Sequence, residues 1–180
     1  MRFAWIALLL LPLGLAAQET AQEPVPEPAA GKPCSAPEYR QFDFWIGEWS
    51  VTSGEQLAGS NSIQPVHGGC ALEENWQGAG EGGISGSSFN TWDRASGRWH
   101  QTWVDGSGTL LLLDGGLVDG SMVLQGTRPA RNGSGETLHR ITWTPNEDGS
   151  VRQLWEASQD DGGSWSVLFD GLYTRQAATP

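Results

Sequence analysis

From about residue 48 onward, apolar and polar residues alternate along most of the chain with a period of two. In 98–104, Trp99, Gln101 and Trp103 fall on one side, while His100, Thr102 and Val104 fall on the other. Such alternation places successive side chains on opposite faces of a strand. It predicts strands at 48–53, 60–66, 71–77, 84–92, 98–104, 108–114, 121–126, 136–144, 150–158, 165–170 and 172–175, the last two being candidates to join. The intervals hold clusters such as Asp105-Gly106-Ser107-Gly108 and Asn146-Glu147-Asp148-Gly149. Asn, Asp and Gly tolerate the left-handed backbone that tight hairpins need. One segment breaks the pattern. Glu38–Trp49 is dense in aromatic residues, with Phe42, Trp45 and Trp49 at helical spacing, but Gly47 stops a longer helix. It predicts a short helical turn covering one end of the sheet.

Many short strands joined by short loops predict an all-β fold. The expected form is a closed antiparallel barrel of roughly eight to ten strands with a short N-terminal helical turn, because closure removes exposed strand edges. One pairing can be specified. A regular turn at 145–149 sets Trp143 opposite Val151, Ile141 opposite Gln153 and His139 opposite Trp155 on an aromatic face. Arg140, Arg152 and Glu156 then share the other face. A slip of two residues changes partners and leaves the faces intact.

The N-terminal region is different in kind. Met1-Arg2 precedes an apolar run from Phe3 to Leu15, and Ala16-Ala17 closes it. A positive charge, a short apolar core and a small-residue exit predict a secretory signal peptide over 1–17. The run is too short for a comfortable membrane span. Residues 18–37 hold five prolines among Ala, Gln and Glu, predicting a disordered linker. Residues 38–176 remain for a single barrel domain. The protein is therefore expected to be exported, periplasmic or secreted, with no stable membrane span after processing. Cys34 and Cys70 are the only cysteines, and in an oxidising compartment they are expected to form a disulfide.

Net charge is −11; loss of Arg2 with the signal leaves nine basic against 21 acidic residues, near −12. A field of that sign disfavours nucleic acid and anionic lipid surfaces. Nine of the ten tryptophans lie beyond the signal, more than a small core needs. Trp76, Trp92, Trp103 and Trp143 are candidates to line a cavity for an apolar ligand. Arg140 and Arg152 are candidate anchors for a ligand carboxylate, the alternative being an outer charge ladder with Glu156. Glu73 or Glu74 is a candidate partner for an arginine on an adjacent strand. His67, His100 and His139 lack metal-ligand spacing, so neither a metal nor a cofactor is expected.

No Gly-x-Ser-x-Gly elbow is present, and most acids fall in turns, where they bond nearby backbone. The leading function is an exported small-molecule-binding module with a tryptophan-lined cavity, taking a small apolar or carboxylate-bearing ligand. The glycine-rich 78–86 stretch is a candidate access route. The alternative is an extracytoplasmic structural or protein-interaction domain without cargo; a hydrolase or other enzyme ranks third.

Four stretches carry a resemblance: FDFWIGEWSV (42–51), ENWQGAGEGGISGSSFNTWDRASGRWHQTWVD (74–105), ITWTPNEDGSVRQLWEASQDDGGSW (141–165) and FDGLYTR (169–175). Together they resemble a family of exported bacterial proteins of uncharacterised function, the DUF1579-like family, with an expected lipocalin-like barrel. Gly47-Glu48-Trp49 is similar to the Gly-x-Trp opening strand of the calycin group. The resemblance implies an internal cavity and Trp49 packed across the barrel base. It brings no established activity.

Overall fold

The computed structural model describes residues 32–130, 133 and 135–176; the expected signal peptide and most of the expected linker lie outside them. Ten strands follow one another: β1 (Gly47–Ser53), β2 (Gln56–Val66), β3 (Ala71–Gly78), β4 (Ser85–Asp93), β5 (Arg98–Asp105), β6 (Leu110–Val118), β7 (Ser121–Pro129), β8 (Glu136–Pro145), β9 (Val151–Ser158) and β10 (Ser166–Arg175). Each pairs antiparallel with the next, and β1 pairs with β10 to close the barrel. The all-β fold expected from the alternation is the one observed. Closure pairs the backbone of both terminal strands, so no edge is left.

Short turns hold this meander because acids cap them. Asp93 accepts the amides of Ala95 and Ser96, and Asp105 accepts those of Ser107 and Thr109. Asp160 accepts the Ser164 amide at 2.8 Å together with two serine hydroxyls, which hold its carboxyl down at about 2.

One end of the barrel is sealed. Pro37–Arg40 and Asp43–Trp45 form two 3-10 turns that bring Tyr39, Phe42 and Trp45 into the core. The Phe42 ring stacks on Trp45 at 4.9 Å and meets Trp143 and Trp99 edge-on at 5.2 and 5.6 Å. Trp49 is fully buried and donates its indole N–H to the Trp45 carbonyl at 2.8 Å. The Arg175 guanidinium covers its ring at 4.4 Å. The disulfide between Cys34 and Cys70 ties the chain before the plug to the β2–β3 connection.

The segments 165–170 and 172–175 join into one strand, β10, as the sequence allowed. Two details depart from the expectation. The strand expected at 108–114 runs over Leu110–Val118, through Gly115 and Gly116. The 137–158 hairpin is shifted by two: Trp143 faces Gln153, Ile141 faces Trp155 and Arg140 faces Glu156. Pro145 stays in the strand opposite Val151, and the turn centres on Asp148, whose carboxylate accepts the Ser150 amide and hydroxyl. The faces are those expected: His139, Ile141 and Trp143 are buried, while Arg140 and Arg152 lie on the other side.

Candidate functional site

Above the plug the barrel interior is built in layers. The inward residues nearest the plug, Leu72, Trp99, Trp143 and Trp49, form an apolar, largely aromatic base. One inward step farther, β3, β5, β9 and β10 contribute Glu74, Gln101, Gln153 and Tyr173. Beyond that layer the same strands present Trp76, Trp103, Trp155 and Phe169. These eight residues, with Leu111, Ile141 and Leu168, line a cavity of about 220 Å³. A single water needs only ~10–15 Å³ by this kind of measure, so the space is far larger than a water site. It opens at the end opposite the plug, where Leu168 is half-exposed. The interior is apolar and aromatic toward the mouth, and polar at the floor.

Glycines make room for the rings. The Trp76 ring lies over Gly59 on β2 and the Trp103 ring over Gly86 on β4, so an added Cβ at either position would overlap the indole. The missing side chains let both rings approach the backbone of the neighbouring strand.

The floor centres on Glu74, a carboxyl only 4% exposed. Cross-strand pairing sets Ser88 opposite it on β4, and Asn61 lies diagonally across on β2. Asn61 Nδ2 donates to Glu74 Oε1 at 2.7 Å, and Ser88 Oγ donates to Oε2 at 2.6 Å. Behind Ser88, Gln101 Nε2 donates to Asn90 Oδ1 at 2.9 Å and Asn90 Nδ2 to Ser88 Oγ at 2.8 Å. Tyr173 donates its hydroxyl to Gln153 Oε1 and accepts from Asn61 Nδ2 at 3.3 Å. Burial pushes the Glu74 carboxyl up to about 7, against the pull of the Ser88 and Asn61 hydrogen bonds. Burial, then the Glu74 charge, also pushes the Tyr173 hydroxyl up. His139 behaves oppositely: burial and the Arg128 charge push it down, and Trp155 Nε1 donates to its Nδ1 at 3.1 Å.

The residues singled out in the sequence are dispersed. Trp76 and Trp103 line the cavity. Trp143 lies beneath the floor in the apolar base, its ring tilted 50° to that of Trp45 at 5.3 Å. Trp92 borders a separate depression with Tyr39, His100 and Asp114. Arg140 and Arg152 do not reach the cavity. Arg140 pairs with Glu156 at 2.9 Å and its guanidinium stacks 3.9 Å over Trp165; Arg152 forms a two-pronged pair with Asp170 at 2.8 and 2.7 Å. This is the charge ladder given above as the alternative to a carboxylate anchor. The expectation that Glu74 meets an arginine fails, since Asn61 and Ser88 hold it instead.

Glu74 is singled out in the sequence only as a candidate ion-pair partner, and Gln101, Gln153, Trp155, Phe169 and Tyr173 are not given there as ligand-binding candidates. A signal existed for Glu74: alternation puts it on the same face as Leu72 and Trp76, an acid on an apolar face. Among the described residues, no three His, Cys, Asp or Glu side chains converge as a metal centre would require.

Compared with known proteins, the chain matches no family model, and no curated protein matches it. Fold and site together define a small ten-stranded antiparallel β-barrel, closed at one end, that holds an aromatic cavity with a polar floor.

Proposed function

We propose that this protein is an exported small-molecule-binding barrel of the DUF1579-like, lipocalin-like kind, holding its ligand between the aromatic mouth and the Glu74 floor. The observation that carries this reading is the cavity of about 220 Å³ that the side chains leave inside the barrel. A concave, mostly apolar pocket with a few convergent polar groups is the usual form of a small-molecule site. The volume falls below the ~300–1,000 Å³ common for drug-sized ligands, which points to a compact molecule. Its apolar body would rest among Trp76, Trp103, Trp155 and Phe169, with its polar end toward Glu74 and Gln101. The glycine-rich β3–β4 connection follows Gly78, at the end of β3 away from Leu72 and the plug, where access is needed.

Native mass spectrometry of protein recovered from the exported fraction tests this reading, followed by exposure to a mixture of small metabolites. Retained or acquired mass that is lost in Trp103→Ala supports it. A protein that takes up nothing while its cavity remains open defeats it.

A second reading, a domain for protein interaction, is favoured by one observation. Phe89, Val104, Leu110 and Leu112 are about half-exposed on the outer faces of the adjacent strands β4, β5 and β6. Loss of a co-purifying partner in Phe89→Ser with Leu112→Ser would support it; unchanged behaviour of that variant would leave the cavity as the functional site.

A further inference from the structure

We propose that the ligand of this cavity carries a cationic nitrogen, seated between the Glu74 carboxylate and the ring surfaces of Trp76, Trp103 and Trp155. This inference rests on the ligand-binding reading above and names the ligand class.

The first ground is a buried acid with no counter-charge beside it. Glu74 is buried at the cavity floor, and the groups facing it from the surrounding strands are Asn61 on β2, Ser88 on β4, Gln101 on β5, Gln153 on β9 and Tyr173 on β10. Only Tyr173 can titrate, and its charged form would add a negative charge. The ion pairs among the described residues, Arg40–Asp43, His100–Asp114, Arg140–Glu156 and Arg152–Asp170, all leave Glu74 out. Buried charges are normally paired, because desolvation without a counter-charge is costly. Here the open side of the carboxylate faces a cavity, and a ligand cation would supply the missing charge.

The second ground is the direction of the hydrogen bonds. Gln101 donates to Asn90, Asn90 to Ser88, and Ser88 to Glu74, while Asn61 donates to the other carboxylate oxygen. Every bond in this chain is oriented toward Glu74 as an acceptor. A carboxylate offers about four acceptor positions, so two remain for a ligand donor.

The third ground is the wall. Trp103 directs its indole N–H to Asp105 at 3.3 Å, and Trp155 directs its own to His139 at 3.1 Å. With these N–H groups engaged by side chains outside the cavity lining, the rings offer the cavity their aromatic carbon surface, and a ring face attracts a cation electrostatically, the basis of aromatic cages for ammonium groups. The arginines that would have suited a carboxylate are on the outer face, and a ligand carboxylate at the floor would meet Glu74. The overall charge of −11 also concentrates cations around the protein.

Benzylamine, benzyl alcohol and benzoate share a ring and differ in charge, so their titration into the full chain, followed by tryptophan fluorescence, isolates the charge. Benzylammonium is expected to bind about tenfold more tightly than benzyl alcohol near pH 8, with benzoate weakest. The advantage should contract toward about pH 5, as Glu74 takes up its proton while the amine keeps its own. Glu74→Gln is expected to bring the amine down to the level of the alcohol. The pH series on the unaltered protein carries the test if that variant fails to fold. Equal binding of amine and alcohol near pH 8, or an amine advantage that persists at low pH or in Glu74→Gln, overturns the cationic class and leaves the cavity reading standing. Binding of none of the three overturns the cationic class too, and native mass spectrometry with the wider mixture then decides whether the cavity reading falls with it.

Discussion

Glu74 is the residue at which fold and function meet. Its carboxyl is lifted from 4.5 to about 7 by burial, so the folded protein holds this proton more tightly than the unfolded chain. The stabilisation it gives is complete below about pH 4.5 and is lost as pH rises through about 7, amounting to about 3 kcal/mol. Urea unfolding across that range is expected to show the loss in the unaltered protein, beyond any common background seen in Glu74→Gln. A constant difference between the two proteins would mean the carboxyl is not buried. Gly86 makes a second prediction at this scale. Its Cα–H side lies under Trp103, so Gly86→Ala should push that indole toward the cavity and destabilise the barrel by about 1–3 kcal/mol through overpacking. Unchanged stability with unchanged near-ultraviolet circular dichroism would show that the ring does not rest on Gly86.

The plug and β1 act together as an element. Phe42 and Trp45 fill the barrel base from above β1, and Trp49 joins them to the wall through its bond to the Trp45 carbonyl. Trp49→Ala removes a fully buried ring and leaves a cavity, at an expected cost of about 3–5 kcal/mol. Chemical denaturation measures this, and a change within ~0.5 kcal/mol, the ordinary surface range, would be incompatible with the packing described. By contrast, Arg152 and Asp170 are about half-exposed, with side-chain exposures of 51% and 46%, and their pair matters little to stability. Arg152→Ala is expected to alter neither stability by more than about 1 kcal/mol nor ligand uptake, because the pair lies outside the barrel. Loss of ligand uptake in that variant would place the ligand elsewhere than in the cavity.

At the scale of the molecule, the closed meander lets one end be sealed and the other serve as a mouth. The disulfide anchors the sealing segment: Cys34 and Cys70 are 36 residues apart, and closing a loop of that size stabilises by about 3–4 kcal/mol in the chain-entropy account. Thermal unfolding with and without reductant should reveal a loss of that order. Intact mass of the exported protein is expected to show removal of residues 1–17 and the two hydrogens lost on forming the bond. Detection of residues 1–10 would remove the signal-peptide reading, and alkylation of both thiols without prior reduction would remove the bond from the exported form.

Local order was legible in the sequence because it is set by near neighbours. The period-two pattern located the strands, the Asp- and Gly-rich intervals located the turns, and the aromatic run ending at Gly47 located the plug. The division of 137–158 into two faces also followed, since a strand's two faces are fixed by alternation whatever its partner. The register of that hairpin did not follow, because it depended on how Asp148 caps the turn beside Pro145. The site itself needed the closed structure. Asn61 and Tyr173 are 112 residues apart, and only the curvature of a ten-strand barrel brings them within 3.3 Å of each other beside Glu74. Alternation marks Glu74 as inward but cannot say whether it meets a counter-charge, and it marks Arg140 and Arg152 as sharing a face without saying which face is outside. Those outcomes depend on long-range packing: burial removes water from Glu74, while the curvature of the sheet turns the arginines toward solvent and the acids beside them.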